Sequence, residues 1–329
     1  MQTAVVILNW NGKHLLEKFL PTVMEHSMDT ATVYVADNAS TDDSISFLKT
    51  HFPQVKIIQN PENYGFAGGY NHALQHIHED IYVLLNSDVE VTHGWLKPAL
   101  ELFNDPKVAA VQPKILDYNN REYFEYAGAA GGFIDRLGYP YCRGRIFETI
   151  EKDSGQYNQV SDIFWAGGAC MFVRKKHFWK VGGFDTDYFA HQEEIDLCWR
   201  FFNEGLLVKY TPESKVFHLG GGTLQTSSPK KTYLNFRNSL FNLIKNAPKK
   251  RLFGLIFIRL TLDGIAGIRF LTQLKVRHFW AILHAHFSFY LDFNKFLKKR
   301  KRPSSNRKYY MINSIVFNHF VLKNKNNHI

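Results

Sequence analysis

The first 112 residues alternate between short apolar runs and longer amphipathic stretches, and this alternation constrains the fold more than any other feature of the chain. Strand, helix and strand at this spacing indicate parallel strands joined by crossover helices. The runs typical of buried strands are Thr3–Leu8, Thr32–Ala36, Val55–Gln59, Ile81–Leu85 and Val108–Val111. The stretches with helical spacing are Lys13–His26, Asp43–His51 and Ala67–His78. We therefore predict an α/β fold with a mostly parallel central sheet.

The pattern is weaker beyond this region. Residues 117–168 are rich in Gly, Tyr and Phe, which indicates irregular or antiparallel structure. Helices are expected at Lys175–Val181 and Glu193–Glu204, and a short strand at Leu206–Tyr210.

Polar or glycine-rich residues follow four of the predicted strands. Each segment alone is typical of a turn or a helix cap. Ligands of open parallel sheets bind outside the carboxyl ends of the strands, however, and four such segments at one edge favour a binding site. The segments are Asn9–Gly12, Asp37–Asp42, Asn63–Asn71 and Asn86–Asp88. None has the glycine spacing of a P-loop or a dinucleotide fingerprint, which disfavours ATPases and nicotinamide-dependent enzymes.

Several ionisable side chains are candidates for catalysis or metal binding. Asp88 would lie at the edge of the sheet, where a carboxylate suits a hard divalent cation. His218 ends an apolar run before three glycines and is either a metal ligand or a turn histidine. Glu193, Glu194 and Asp196 begin a predicted helix, where acids favour the helix dipole. Neighbouring carboxylates also raise one another's proton affinity, as a general base requires, and Asp196 can pair with Arg200 four residues on.

The positive charge is concentrated in the C-terminal part. From Lys245 onward the chain has 18 Lys and Arg against two acids, or +16, whereas the first 244 residues have 22 against 28, or −6. Residues 252–274 and 278–291 are mostly apolar, but none of these stretches reaches the ~18 uncharged apolar residues of a spanning helix. We expect residues 249–302 to contact an anionic membrane surface; the alternative is a helical cap on the main domain.

Other sequence features limit the partners and the compartment. No zinc-finger or aromatic RNA motif accompanies the basic residues, so we expect no nucleic acid partner. The three cysteines form no C-x-x-C pair, and no basic segment precedes the first apolar run, which favours a reducing compartment and no signal peptide. We expect a cytoplasmic protein that is peripheral on the inner face of the cell membrane.

The motifs in combination resemble the family 2 glycosyltransferases, which have the GT-A nucleotide-diphospho-sugar transferase fold. The likeness covers roughly residues 3–240 and is strongest to rhamnosyltransferase-like members. It rests, in family order, on VVILNWNG, VADNASTDDS, NYGFAGGYNHAL, LLNSDVEV, AGGACMFVRKKHFWKVGGFD, EEIDLCWR and VFHLGGGT. The implied organisation is a catalytic domain at 1–240, an amphipathic basic helical region at 241–302 and a basic, partly disordered tail at 303–329, with Lys323–Ile329 disordered.

The resemblance also implies roles for individual residues. Asp88 matches the last Asp of the D-x-D metal motif, whose first Asp is Asn86 here, and His218 joins the shell of a Mg²⁺ or Mn²⁺ ion. Glu194 matches the catalytic base, with Glu193 and Asp196 as secondary candidates. The implied donor-binding residues are Leu8, Trp10, Asn11, Asp37, Asn38, Gly68, Asn71, Asn86, Ser87 and Asp88.

The function implied is inverting transfer of a sugar from dTDP-rhamnose or a UDP-sugar to a hydroxyl of a glycan or lipid-linked acceptor, in cell-surface polysaccharide assembly. One base and one metal suffice for in-line displacement. The alternatives are a sugar nucleotidyltransferase and a non-catalytic protein that binds a nucleotide sugar or a membrane surface.

Overall fold

The computed structural model describes residues 1–126, 128–220, 228–301, 303–304 and 307–323, and within them nine strands form one sheet and four shorter strands a second. The strands are β1 (Thr3–Asn9), β2 (Thr32–Asp37), β3 (Lys56–Gln59), β4 (Ile81–Asn86), β5 (Val89–Val91), β6 (Val108–Asp117), β7 (Gly132–Ile134), β8 (Pro140–Cys142), β9 (Arg145–Ile146), β10 (Thr149–Ile150), β11 (Ser161–Ile163), β12 (Cys170–Arg174) and β13 (Leu207–His218). The helices are α1 (Lys13–Ser27), α2 (Ser44–His51), α3 (Gly65–Leu74), α4 (Leu96–Glu101), α5 (Lys175–Lys180), α6 (Glu193–Asn203), α7 (Pro229–Asn246), α8 (Leu252–Thr272), α9 (Val276–Lys298) and α10 (Ile315–Phe320).

The five strands predicted in the first 112 residues all run in one direction. β1 pairs in parallel with β2 and β4, and β3 pairs in parallel with β2. β6 has the same direction but is separated from β4 by β12, which is antiparallel to both. The predicted α/β class is therefore confirmed, and β12 is an insertion that the alternation of the sequence did not indicate.

Both faces of the parallel strands are covered, which explains their unbroken apolar sequences. On one face, Val5 and Ile7 belong to an apolar cluster that includes Leu16 of α1. On the other face, Val6 belongs to a second cluster that includes Tyr70 of α3. The sheet is thus sandwiched between helices, and only the strand ends are left for a ligand.

β13 is longer than the predicted strand Leu206–Tyr210. Its pairing with β6 continues to His218 after an irregularity between Thr211 and Lys215. Polar residues at this irregularity interrupt the apolar run, so the sequence pattern ended the strand too early. The region between 117 and 168 includes the antiparallel sheet β7–β10, as the weak pattern there indicated.

α7 joins the sheet domain to the C-terminal helices. The side chain of Ser228 accepts a hydrogen bond from the amide of Lys231, and Pro229 occupies the first turn, where its missing N–H has no cost. The predicted domain boundary after residue 240 falls inside this helix, which packs against α6, α8 and α9.

α8 buries two charged residues at its centre and exposes several large apolar ones. Arg259 and Asp263 are 3% and 0% exposed and pair at 2.9 Å, whereas Phe253 and Phe257 are each 73% exposed. Tyr139 donates a further hydrogen bond to Asp263, and Arg259 donates one to Ser239 of α7. The buried ion pair therefore holds the centre of α8 against α7 and Tyr139.

None of the helices in the described parts of the chain is long and apolar enough to cross a bilayer. In the tail, residues 315–320 form α10; of the stretch predicted to be disordered, residues 324–329 lie outside the described residues.

Replacing Asp263 by Ala should destabilise the protein by about 3–5 kcal/mol, because it leaves the Arg259 guanidinium buried without its carboxylate. Urea denaturation would measure the loss. Thr261→Ala, at an exposed position of the same helix, should change the free energy of unfolding by no more than about 0.5 kcal/mol. Equal effects of the two substitutions would contradict the stabilising role of the ion pair.

Candidate active site

Side-chain hydrogen bonds tie the loops after β1 and β2 together. Asn9 donates to Asp37 at 3.0 Å and to Ser40 at 3.2 Å. Asn11 donates its backbone N–H to the Ser40 hydroxyl and accepts from the amide of Thr41 at 2.7 Å. The predicted donor-binding residues Asn11 and Asp37 therefore lie together at the carboxyl edge of the sheet, where they also fix the shape of that edge.

Asn38 braces the loop after β3. Its amide group donates to Asn63 at 2.8 Å and to the Gly65 carbonyl at 3.0 Å, and it accepts from Asn60 and from the amide of Tyr64. These contacts use both amide hydrogens and both lone pairs of the carbonyl oxygen. They argue against the implied contact between the Asn38 side chain and a nucleotide base.

Gly68 and Asn71 also have contacts within the protein. A Cβ at Gly68 would lie 2.7 Å from the Cβ of Tyr64, the residue that precedes α3, so the close packing between these two positions requires glycine at 68. The amide of Asn71 donates to the Phe184 carbonyl at 2.7 Å and accepts from the Phe184 N–H at 3.0 Å. Asn71 therefore holds the backbone at Phe184 against α3.

The other predicted donor-binding residues lie around the ends of β1 and β4. Leu8 is directly opposite Asn86 in the parallel register. The Ser87 hydroxyl would lie 3.8 Å from a Cβ at Gly12. The Trp10 side chain is 49% exposed at this edge, which leaves its ring accessible to a planar ligand.

Asp88, His218 and Glu125 form a buried chain of three ionisable groups. The antiparallel pairing of β13 with β5 places His218 opposite Val89, next to Asp88. Nε2 of His218 lies 3.1 Å from Oδ1 of Asp88, and Nδ1 lies 3.2 Å from Oε1 of Glu125. Each ring nitrogen of His218 thus faces one carboxylate.

The two carboxylates determine the protonation of His218. Burial by itself lowers the pKa of His218, but Glu125 and Asp88 outweigh it and raise the pKa to about 10. The imidazole therefore carries a proton on each nitrogen at neutral pH. A metal ion at Nε2 would replace one proton, and Glu125 would keep the other on Nδ1, an arrangement typical of metal-binding histidines.

An oxygen of Asp88 and a nitrogen of His218 lie close together, 3.1 Å apart. Among the residues that the structure describes, no group of three or more His, Cys, Asp and Glu side chains is arranged around a common metal position. Two protein ligands nevertheless fit Mg²⁺ or Mn²⁺ where substrate phosphates supply the rest. Glu125 faces the other ring nitrogen of His218, Nδ1, so Glu125 would orient the histidine and would not bind the metal itself.

Glu193 and Glu194 begin α6 in a low-polarity environment. Burial raises the pKa of both carboxyls, for Glu194 to about 7, and the charge of Glu194 raises that of Glu193 further. Glu193 is buried, whereas Glu194 is partly exposed. Within the described residues, Oε2 of Glu194 has no hydrogen-bond partner. The same holds for Oε2 of Glu193, so the partial exposure of the Glu194 side chain is what favours Glu194 over Glu193 as a proton acceptor.

Asp196 belongs to a structural ion-pair network. It is fully buried and lies within 2.8 Å of Arg200 and Lys245, and Asn246 donates to its other oxygen. Burial alone would raise its pKa, but Arg200 and Lys245 lower it well below the usual range. The predicted pairing with Arg200 is confirmed, and the network argues against Asp196 as the base.

Electrostatic interactions with common neighbours link the His218 chain to the start of α6. Burial raises the pKa of the Cys142 thiol, and the charges of both Glu125 and Glu194 contribute to that increase. Similarly, Lys231 interacts electrostatically with Glu125 and with His191, which precedes α6. The His218 chain and the start of α6 thus share charged and titratable neighbours.

Glu125 is the residue at this site that the sequence analysis missed. It lies in the weakly patterned region, between Phe124 and Tyr126, where a single Glu has no motif around it. Glu125 follows β6 and His218 ends β13, so the two residues are far apart in sequence and meet only in the folded chain. No local spacing could therefore have indicated their contact.

Comparison with known proteins identifies the family. Residues 4–182 match the sequence profile of glycosyl transferase family 2. The chain belongs to this family.

Among its relatives, the chain is 26% identical over 230 residues to the N-acetylglucosaminyl-diphospho-decaprenol L-rhamnosyltransferase of Mycobacterium tuberculosis (strain CDC 1551 / Oshkosh), a match that covers 65% of this chain and 75% of the relative. It is 27% identical over 162 residues to the rhamnosyltransferase WbbL of Escherichia coli (strain K12), covering 47% of this chain and 61% of WbbL.

Solved structures share the GT-A fold. A mannosyltransferase from Pyrobaculum calidifontis, in complex with GDP-Man and Mn²⁺, superposes with a TM-score of 0.53 at 17% identity and covers 89% of this chain and 75% of its own. GalNAc-T7 with UDP, GalNAc and Mn²⁺ superposes with a TM-score of 0.55 at 18% identity, and the match covers 69% of this chain and 45% of GalNAc-T7. The family 2 transferase is thus a glycosyltransferase with a GT-A catalytic domain and a C-terminal helical region.

Glu194→Gln should lower kcat by about 100-fold or more, because the amide cannot accept the acceptor hydroxyl's proton. In the wild type, kcat should increase as pH rises through about 7, where Glu194 loses its proton. Asp196→Asn should instead destabilise the protein by about 3–5 kcal/mol, because both Arg200 and Lys245 lose a buried charged partner. Steady-state kinetics and thermal denaturation separate the two roles; full turnover of Glu194→Gln would refute its assignment as base.

Proposed function

We propose that this family 2 enzyme is an inverting glycosyltransferase that moves a sugar from dTDP-rhamnose or a UDP-sugar to a hydroxyl of a glycan or lipid-linked acceptor, in cell-surface polysaccharide assembly. The observation that carries the proposal is the presence, in a family 2 glycosyltransferase, of both the buried pair Asp88–His218 and a carboxyl with a raised pKa, Glu194. The similarity to two rhamnosyltransferases, one of them named for a decaprenol-linked acceptor, supports the choice of donor and acceptor.

The chain's own side chains suit a nucleotide-diphosphate donor. The exposed ring of Trp10 can stack on a base, and the braced edge around Asn11 and Asp37 holds the nearby loops in one conformation. Asp88 and His218 would hold a divalent cation, with His218 oriented by Glu125. The chemistry that such an ion supplies is neutralisation of charge on the diphosphate leaving group.

Glu194 would activate the acceptor. A sugar hydroxyl is a poor nucleophile until a base takes its proton, and a carboxyl with a pKa near neutrality is a suitable base. Inversion needs one carboxylate on the acceptor side and no second one that attacks the anomeric carbon. These matched groups favour transfer over non-catalytic binding of a nucleotide sugar.

A donor screen by thermal denaturation tests the donor and the metal together. One nucleotide sugar should raise the melting temperature by several degrees in the presence of Mn²⁺ or Mg²⁺, because a ligand at about 100 times its Kd stabilises the native state by about 2.7 kcal/mol. Asp88→Ala should abolish the metal-dependent part of the shift. Asp162→Ala, a control at an exposed carboxylate on β11, should keep it. A full shift with Asp88→Ala would contradict the metal assignment.

The C-terminal helices are proposed to contact an anionic membrane surface. Large apolar side chains are exposed along α8 and α9 and between them, including Phe253 and Phe257 (each 73%), Leu274 (89%), Trp280 (62%) and Phe287 (62%). A soluble surface helix places most such residues inward, whereas α8 leaves Phe253 and Phe257 exposed although it also buries the ion pair Arg259–Asp263. Contiguous exposed apolar surface of this kind is typical of a protein or membrane contact.

The surrounding charge favours lipid as the occupant. Lysines and arginines flank the apolar residues both before α8 and around the connection between α8 and α9. These exposed residues are Lys249, Lys250, Arg251, Lys275 and Arg277. Basic residues beside an apolar helix face are attracted to the anionic lipids of the cytoplasmic leaflet, at about 1 kcal/mol each. We therefore propose a peripheral position on the inner face of the membrane, near a lipid-linked acceptor.

Vesicle co-sedimentation tests the membrane contact. The full chain should bind vesicles that contain phosphatidylglycerol, and Phe253→Ser with Phe257→Ser should weaken binding about tenfold or more, because each buried Phe side chain contributes about 1.5–3 kcal/mol. Tyr123→Ser with Val160→Ser, two exposed positions on the catalytic domain, should leave binding unchanged. Absence of wild-type binding would contradict the proposal, and oligomerisation through the same face would indicate a second copy as the occupant.

A further inference from the structure

The loop that precedes Glu194 is strained. Phe189, His191 and Gln192 have φ angles of +63°, +67° and +74°, a region that residues with side chains rarely adopt. Phe189 also has ψ of −61°, and the amide of Ala190 donates to the Tyr188 carbonyl at 2.7 Å, which is the rare γ-turn with positive φ. Such conformations cost about 1–3 kcal/mol each and persist only where surrounding contacts hold them.

Asn238 of α7 supplies those contacts. Its buried amide group donates to the backbone carbonyls of Tyr188 (3.1 Å), Ala190 (3.0 Å) and His191 (2.7 Å). Arg237 donates to the Asn238 side-chain oxygen at 2.9 Å, which orients the amide with its N–H groups toward the loop. One side chain thus binds three carbonyls of the strained segment.

Neighbouring residues of α7 extend the contact along one helix face. Asn242, one turn after Asn238, accepts from the Tyr188 hydroxyl at 2.8 Å and donates to the Gln192 carbonyl at 3.4 Å. Lys245 binds both Asp185, before the loop, and Asp196, after it. The i, i+4, i+7 spacing of Asn238, Asn242 and Lys245 keeps all three on the side of α7 that faces the loop.

The loop is connected directly to Glu194 and to the start of α3. The Gln192 carbonyl accepts from the amide of Asp196 in the first turn of α6, so movement of Gln192 moves the turn that carries Glu194. The Phe189 carbonyl accepts from the amide of Phe66 at 3.0 Å, at the beginning of the glycine-rich helix α3. The loop therefore determines where the base lies relative to the donor side of the cleft.

We propose that α7 is a clamp that keeps the 188–192 loop in its strained conformation, and that Asn238 is the positioning residue through which it orients Glu194 for proton abstraction. The proposal rests on the proposed role of Glu194 as the base. Asn238 touches the loop backbone and not the reacting atoms, so its effect is on turnover through geometry. A displacement of about 1 Å at a reacting group can cost about 100-fold in rate.

Asn238→Ala should lower kcat by about tenfold or more while the KM for the nucleotide sugar changes less than about threefold, because Asn238 bonds to the loop before Glu194 and not to Trp10, Asp88 or His218, which are proposed to hold the donor. The matched control is Ser239→Ala, which also removes a buried hydrogen-bonding side chain from α7 but contacts Phe236 and Arg259 instead of the loop. It should lower stability with kcat within about twofold of wild type. An unchanged kcat in folded Asn238→Ala, or equal losses of kcat in both variants, would overturn the proposal.

Asn238→Asp keeps the shape of the side chain and covers the case in which the alanine variant does not fold. The carboxylate cannot donate to the three carbonyls, so the same loss of kcat is expected, together with faster hydrogen exchange of the amides at 189–196. Slow exchange and normal turnover in this variant would overturn the clamp. Glu194→Gln, assayed in parallel, distinguishes the two levels: if it retains turnover, the base assignment fails, whereas an inactive Glu194→Gln with a fully active Asn238→Asp refutes the clamp alone.

Discussion

The parallel pairing of β1 with β2 and β4 is the constraint on which the rest of the structure depends. It brings Asn9 opposite Asp37 and Leu8 opposite Asn86, so the loops that follow β1, β2 and β4 begin at the same edge of the sheet. Because the strands are buried on both faces, that edge is the free side of the sheet for a ligand. The antiparallel pairing of β13 with β5 then adds His218 next to Asp88. Register alone therefore assembles the donor side of the site from segments that are 130 residues apart in sequence.

The acceptor side depends on a different kind of interaction. Glu194 lies at the start of a helix whose preceding loop has three residues with positive φ, and the hydrogen bonds that hold this loop come from α7. Lys299, which follows α9, adds ion pairs to Asp185 and Asp187 on the near side of the loop. The helices proposed to contact the membrane are thus packed on α7, the same helix that holds the 188–192 loop before Glu194. The C-terminal region is consequently part of the architecture of the site as well as a proposed point of attachment.

Local patterns were sufficient to predict the five parallel strands, the first three helices and the Asp196–Arg200 pair, because each depends on periodicity or spacing within a few residues. They could not identify Glu125, which reaches His218 through the fold and has no motif of its own. They also could not distinguish an asparagine that binds a ligand from one that braces a loop, since both occur after strands; Asn38 proves to be a brace. The inward orientation of Arg259 and Asp263 depends on partners in α7 and at Tyr139, far away in sequence.

The central claim is that the strand-end loops and the start of α6 enclose one donor and one acceptor between Asp88 and Glu194. A crystal structure of the full chain with a nucleoside diphosphate and Mn²⁺ tests it most directly. The account predicts an anomalous Mn²⁺ peak within coordination distance of the Asp88 carboxylate and Nε2 of His218, with the base against Trp10 and the Glu194 carboxyl facing the same cavity. A nucleotide bound elsewhere, or a Glu194 carboxyl that opens to a different face of the molecule, would contradict it.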